Sequence, residues 1–350
     1  MLRYSEHLDS FQRPPLEPGP GDAWVRLDKN EAPFSALGDV PDLQERLRRV
    51  DARPYPDPYP LYRRLADFCG VSIDRLLVTF GSEQAIRFAF EVMVRSGDEV
   101  LYPDPSFAMI EVFARQSGAA AVTVPFDPSL RLPMEALLDR VTERTRLILL
   151  PNPNNPTGSV FGEADLDRLA ASAERVGALL VSDEAYYHYC DVTALGLLPR
   201  RPNLMVTRTF SKAWGLAGIR AGYAVASPEV IRLLRKVKPI DEISSFSLAA
   251  CLAVLENPAG LEKNVRHVRR WKERFSQIRS PRLAFIPAEG NFVLFRAQAD
   301  VEEAVAAWFE RNRILVKHHV DHPALKGLIR FSIGSDAVME RVFVALKDWT

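Results

Sequence analysis

From residue 76 the chain alternates short apolar runs with longer stretches of helical pattern. Runs at 76–79, 100–102, 121–124, 147–150 and 179–181 predict strands, and 85–94, 106–117 and 164–176 predict helices among them. Strands alternating with helices at this spacing predict an α/β fold, a mainly parallel sheet covered by helices on both faces. Further apolar runs flank the segment from Thr207 to Gly222. Stretches 231–237, 247–256 and 261–278 then predict helices leading out of the sheet, the charges of the last forming a solvated face. Strands at 291–295, 314–317 and 328–333 and helices at 301–311 and 337–349 complete the chain. The expected organisation is an arm over 1–35, a large domain over 36–240 and a smaller α/β domain over 241–350.

The chain before residue 76 is patterned differently. Pro14, Pro15, Pro18 and Pro20 deny the arm regular helix or central strand. Such an arm either lies across a neighbouring surface, such as a second subunit, or stays loose. Stretch 41–50 predicts a helix, and 61–69 another. Between them, Pro54, Pro56, Pro58 and Pro60 force an extended course that holds Tyr55 and Tyr59 on a stiff segment.

Composition narrows the class. The 350 residues are 47% hydrophobic, enough for one large core and a smaller one. The 45 basic and 45 acidic residues cancel, so nothing suggests a nucleic-acid or membrane surface. Three distant cysteines, Cys69, Cys190 and Cys251, form neither a metal-ligand spacing nor a disulfide framework, so no metal is expected. The polar start of the chain reads as no signal peptide, and no apolar run reaches the roughly 18 residues of a membrane helix. A cytoplasmic protein is expected.

In open parallel sheets the functional groups lie beyond the carboxyl ends of the strands. Here those places are filled by Gly81-Ser82-Glu83-Gln84, by the turn from Pro103 to Phe107, by 151–158 ending in Asn155-Pro156-Thr157-Gly158, by Asp183-Glu184-Ala185-Tyr186 and by Thr209-Phe210-Ser211-Lys212. All five are polar or turn-forming and would gather at one edge of the sheet. Ser82 is read as an N-cap, leaving the N–H groups of Ser82 and Glu83 free for an anion. Phe107 offers a flat platform or a core side chain. Asn155 sits in a dense turn cluster and carries an amide donor. Asp183, at the end of a buried strand, needs a cation. Thr209, Ser211 and Arg220 can bind a phosphate, and Lys212 can hold an aldehyde as a Schiff base. Arg330, charged within an apolar strand, needs an anion: a structural salt-bridge partner, or the carboxylate or phosphate of a substrate. No Gly-rich phosphate loop follows the first strand, which argues against a nucleotide-binding module.

Taken in order, Gly81-Ser82-Glu83-Gln84, Phe107, Asn155-Pro156-Thr157-Gly158, Asp183-Glu184-Ala185-Tyr186, Ser211 with Lys212, Arg220 and Arg330 resemble the fold-type I pyridoxal phosphate-dependent aminotransferases of class I and II. The likeness runs over about residues 27 to 350. Within that class the chain is most similar to the histidinol-phosphate aminotransferase subfamily, through its short length, the segment from Leu27 to Pro33 and the Tyr55 segment. Threonine-phosphate decarboxylase is a relative on the same plan.

The resemblance implies a cofactor, pyridoxal 5'-phosphate, and a role for each residue. Lys212 would bind the cofactor covalently and move the proton, with Asp183 keeping the pyridine nitrogen protonated. Asn155 and Tyr186 would hydrogen-bond the ring's phenolate oxygen, and Phe107 would stack on the ring. Ser82, Glu83, Thr209, Ser211 and Arg220 would take the phosphate. Tyr55 would reach the phosphate of a neighbouring subunit, implying a homodimer. Arg330 would hold the anionic end of the substrate. The reaction implied is ping-pong transfer of an amino group from histidinol phosphate or a related donor to a keto acid such as 2-oxoglutarate. Transfer from an aromatic or cationic amino acid, or decarboxylation, are the alternatives. This chain departs from its relatives where Lys317 stands thirteen residues before Arg330 in place of arginine, followed by His318 and His319, and where the arm carries Phe11-Gln12-Arg13 in place of a Pro-Tyr pair. Lys317 with Arg330 would take a phosphate or a carboxylate.

Overall fold

The computed structural model describes residues 21, 23–318 and 322–349. The proline cluster of the arm, Phe11 to Arg13, and His319 lie outside the described residues, as does the side chain of His318. In chain order the strands are β1 (Val25–Arg26), β2 (Leu76–Thr79), β3 (Glu99–Asp104), β4 (Ala120–Pro125), β5 (Thr145–Pro151), β6 (Leu179–Asp183), β7 (Leu204–Thr209), β8 (Gly222–Ala226), β9 (Leu283–Ile286), β10 (Phe292–Ala297), β11 (Ile314–Leu315), β12 (Lys317–His318) and β13 (Leu328–Ser332).

The large sheet has the order β2-β8-β7-β6-β5-β3-β4. Strands β3 to β7 pair in parallel, and β8 runs antiparallel to both β7 and β2. The sheet is thus mainly parallel, as the alternation predicts. Successive residues of its central strands serve opposite faces. Leu147, Leu149, Leu179, Val181 and Met205 belong to one hydrophobic cluster, and Ile148, Leu150, Leu180, Leu204 and Val206 to the other. Burial on both faces is why these strands read as unbroken apolar runs.

Register levels the carboxyl ends. Pro151, Asp183 and Thr207 are cross-strand neighbours, and so are Thr209, Gly222 and Thr79. The five strand-end segments therefore emerge at one edge.

The second sheet is antiparallel, with the order β12-β13-β10-β9. It packs aromatics against the helix Ala259–Phe275, where the Phe275 and Phe331 ring centroids lie 5.4 Å apart. The expected strand over 314–317 divides in two. β11 pairs in parallel with β1, whereas β12 pairs antiparallel with β13. A strand within the expected arm thereby joins the C-terminal part of the chain. Leu27 extends the link: its N–H donates to Leu315 O at 2.9 Å, and its carbonyl accepts from Ser332 N at 2.8 Å.

Candidate active site

The phosphate-type cluster forms where β2 and β7 end and β8 begins. Its helix spans Ser82–Met93, with Gly81 rather than Ser82 at the N-cap. Gly81 has φ +81°, a conformation that suits glycine, so Ser82 becomes the first helical residue and makes no side-chain cap. The Gln84 side chain instead accepts from Phe80 N at 2.6 Å. The start of this helix is pressed against Gly222, where a Cβ would lie 2.6 Å from both Ser82 N and Gly81 C. A Cβ on Gly81 would meet Arg220 Nη2 at 3.1 Å. Arg220 has φ +53° and donates to Ser211 Oγ at 3.3 Å, and Thr209 Oγ1 donates to Ser211 Oγ at 3.0 Å. Two hydroxyls, a guanidinium and a helix start thus converge, a composition suited to a phosphate.

Asp183 ends β6, only 6% exposed. Burial pushes its carboxyl up to about 6, opposed by the Thr207 hydroxyl, which donates to it at 2.7 Å, the Ala185 N–H and the ammonium of Lys212. Among the described residues no basic side chain lies within ion-pair distance of it. The neighbouring Glu184 differs: it is fully buried but takes bonds from Arg208, Thr193 and Ala194 N, a closed structural pair.

Lys212 Nζ donates to the carbonyls of Lys29 and Asn30 at 2.9 and 3.1 Å, and lies 5.6 Å from the Tyr186 ring centroid. Tyr186 is buried edge-on to Phe292, and its hydroxyl accepts from Asn30 Nδ2 at 2.9 Å. Arg330 is 5% exposed; it donates to Asn155 Oδ1 and, at 3.1 Å, to Asp28 O, while its Nε has no partner. Burial pushes the Arg330 guanidinium down. Lys317 stands directly across from Arg330 in the β12–β13 register, so both belong to one face of that sheet. Lys212, Tyr186, Asn155 and Arg330 are therefore joined around residues 28–30.

Two other expected residues take different positions. Phe107 is half-buried against the cluster on one sheet face, just before the helix Met109–Gln116, which starts later than expected. Tyr55 is 82% exposed, and among the described residues no hydrogen bond draws it to this site. Asn30, Thr207 and Asn291 were not singled out from the sequence. Asn30 is 1% exposed with φ +53°; Asn291 Nδ2 donates to its carbonyl at 3.0 Å. A polar Asn at positive φ is a signal that only backbone geometry reveals.

The residues suit pyridoxal 5'-phosphate on this structure's own terms. Among the described residues a buried carboxylate has no cation within ion-pair distance, a phosphate-type cluster sits at the same sheet edge, and a lysine amine shares the segment 28–30 with a buried arginine whose Nε–H is free.

The model for aminotransferase class I and II matches residues 24–346. The chain is 33% identical to histidinol-phosphate aminotransferase 3 of Mesorhizobium japonicum, over 97% of this chain and 91% of that one. It is 32% identical to an aromatic amino acid aminotransferase of Cutibacterium acnes, over 93% of each. It superposes on the histidinol-phosphate aminotransferase of Sinorhizobium meliloti in complex with pyridoxal-5'-phosphate with a TM-score of 0.85, at 26% identity over 99% of this chain and 97% of that one. With its sheet, its lysine and its phosphate-type cluster, the chain belongs to the aminotransferases of class I and II, enzymes that work with pyridoxal 5'-phosphate.

Proposed function

We propose that this aminotransferase moves an amino group from histidinol phosphate, or a related amino donor, to a keto acid such as 2-oxoglutarate. The observation that carries the reading is Asp183, a buried carboxylate without a cation at the edge that also bears Lys212. When bound, pyridoxal 5'-phosphate supplies an aldehyde that takes up an amine and a protonated ring that draws electrons from the adjoining carbon.

Lys212 would hold that aldehyde and later carry the proton between the substrate's Cα and the cofactor's C4′. The carbonyls of Lys29 and Asn30 orient its amine until then. Asp183, fixed by Thr207, would hold the proton on the ring nitrogen. Tyr186, steadied by Asn30, and Asn155 would donate to the ring's phenolate oxygen, and Phe107 would cover the ring. Ser82, Glu83, Thr209, Ser211 and Arg220 bind the phosphate, with Gly81 and Gly222 allowing the close approach. Arg330 takes the substrate's anion through the N–H that has no partner, and Lys317 supports it from the adjacent strand. Donor and acceptor use this site in turn, which gives ping-pong kinetics.

Tyr55 would serve the site of a second subunit in a homodimer; its exposure on its own subunit supports that reading. A large cofactor-binding domain over 36–240 would be built on the seven-stranded sheet, and a smaller domain over 241–350 on the four-stranded one. A cytoplasmic location fits the three free cysteines. Among the described residues no helix is long and apolar enough to cross a membrane.

Lys317 favours a second reading of the substrate alone. As a point charge opposite Arg330 it would also receive a carboxylate, and the C. acnes relative is named for aromatic amino acids. A panel of half-reactions separates the two. The loaded enzyme is mixed with histidinol phosphate and with aromatic and cationic amino acids, and loss of the near-visible cofactor band is followed. Histidinol phosphate is expected to react fastest; inertness beside rapid reaction of an amino acid reverses the assignment, and carbon dioxide release would indicate decarboxylation. Lys212→Ala should abolish the covalent cofactor band. A wild-type protein that takes up no pyridoxal 5'-phosphate would sink the reading altogether.

A further inference from the structure

One contact outside the assigned residues joins parts of the chain 218 positions apart. His322 Nε2 lies 3.2 and 3.3 Å from the two carboxylate oxygens of Asp104. His322 Nδ1 accepts from Ala324 N at 3.3 Å, so the ring proton belongs on Nε2, which donates to Asp104.

Each end of the bridge leads to the site. Asp104 closes β3 and begins the loop to Phe107. That loop is tied to the next one: Asn154 Nδ2 donates to Pro105 O at 3.1 Å and to Thr157 Oγ1 at 2.8 Å, and Ser106 Oγ donates to Asn154 Oδ1 at 2.9 Å. The loops that carry Phe107 and Asn155 are therefore one connected unit. His322 caps the turn Pro323–Leu325, which is anchored by buried Leu325 and runs into β13 with Arg330.

We propose that His322 is a positioning residue for the aminotransferase reaction. Its bond to Asp104 sets how closely the strand pair of Lys317 and Arg330 approaches the loops of Phe107 and Asn155, and so the width of the substrate space between them. Arg330 to Asn155 is the inner contact between these parts, and His322 to Asp104 the outer one. The His322 and Asp104 side chains are 33% and 43% exposed, so the bridge adds little to global stability and can open without unfolding either part. The inference rests on the proposed function for the roles of Phe107, Asn155 and Arg330.

The test uses the loaded enzyme with His322→Ala, His322→Gln, Asp104→Ala and the double alanine variant. L-glutamate serves as amino donor in single-turnover half-reactions, and hydrogen exchange is followed at amides 104–107 and 152–158. His322→Ala is expected to raise the half-saturating glutamate concentration roughly fivefold, the size of a coupling between contacting residues. The limiting rate should stay within about twofold, and exchange should quicken in both loops. His322→Gln, which still donates to Asp104, should restore most of the binding. The double variant should be no worse than either single one. Unchanged half-saturation and exchange, additive losses, or a Gln variant as poor as Ala would each overturn the proposal. Failure of the wild type to react with glutamate would count against the proposed function instead, and the exchange measurement would still decide the bridge.

Discussion

Asp183→Asn separates what the site needs from what the fold prefers. Burial pushes the carboxyl of wild-type Asp183 up from an ordinary 3.8 to about 6 in the folded protein, against the opposing pull of Thr207, the Ala185 N–H and Lys212. Between those values the folded protein keeps a proton that the unfolded chain has released. Stability therefore falls as pH rises from about 3.8 to about 6 and stays lowered above. At 1.36 kcal/mol per pH unit the charge costs the cofactor-free protein about 3 kcal/mol at neutral pH. Asparagine is neutral throughout and still accepts from Thr207, so Asp183→Asn should stabilise the cofactor-free protein at pH 8 by up to about 3 kcal/mol. For a chain of 350 residues that is roughly 4 °C in Tm. The advantage should vanish near pH 4. On the proposed role of Asp183, turnover should fall about a hundredfold or more, since the anion that would face the ring nitrogen is gone. Thermal unfolding of both cofactor-free proteins from pH 4 to 8 is the assay. A variant less stable at pH 8, or a difference that ignores pH, would refute the argument.

Other substitutions probe the remaining parts. Gly222→Ala drives a Cβ to 2.6 Å from Ser82 N and Gly81 C, so pyridoxal 5'-phosphate affinity should drop about tenfold or more in a fluorescence titration while the fold persists by circular dichroism. Arg330→Ala removes a buried cation from Asn155 and the substrate anion. The half-saturating donor concentration should rise about a hundredfold, with cofactor loading kept. Mixed dimers of Lys212→Ala and Tyr55→Ala should recover activity that neither homodimer has, because one hybrid site regains both residues; no recovery would mean that Tyr55 does not cross between subunits.

The sequence revealed most where one residue type had one physical use. Runs such as 147–150 are apolar on both faces because the sheet is covered on both, and that pattern alone predicts a buried parallel strand. Polar and turn-forming residues mark the strand ends, so the segments that carry Lys212, Asp183 and Asn155 are legible as neighbours at one sheet edge from the sequence. Ser82 misled for a local reason. Its hydroxyl makes it a good cap by residue type, but Gly81 takes the left-handed position and moves the helix start back by one residue. The strand over 314–317 misled for a long-range one, since its first half pairs with residues near the start of the chain and its second half with β13.

That pairing explains why the inner wall of the site stayed hidden. β1 and Leu27 bind to β11 and Ser332 through backbone groups, which any sequence offers. Once held there, residues 28–30 present three carbonyls inward: Asp28 O to Arg330, and Lys29 O and Asn30 O to Lys212. Carbonyls carry no signature in a sequence, so the partners of the lysine could not be read from residue types. Asn30 adds its side chain to Tyr186 and its carbonyl to Asn291, so a single left-handed residue spans the lysine, the tyrosine and the C-terminal sheet. Lys212 is thus held by a segment 183 residues away in sequence, and that segment is itself tied to the sheet that carries Arg330.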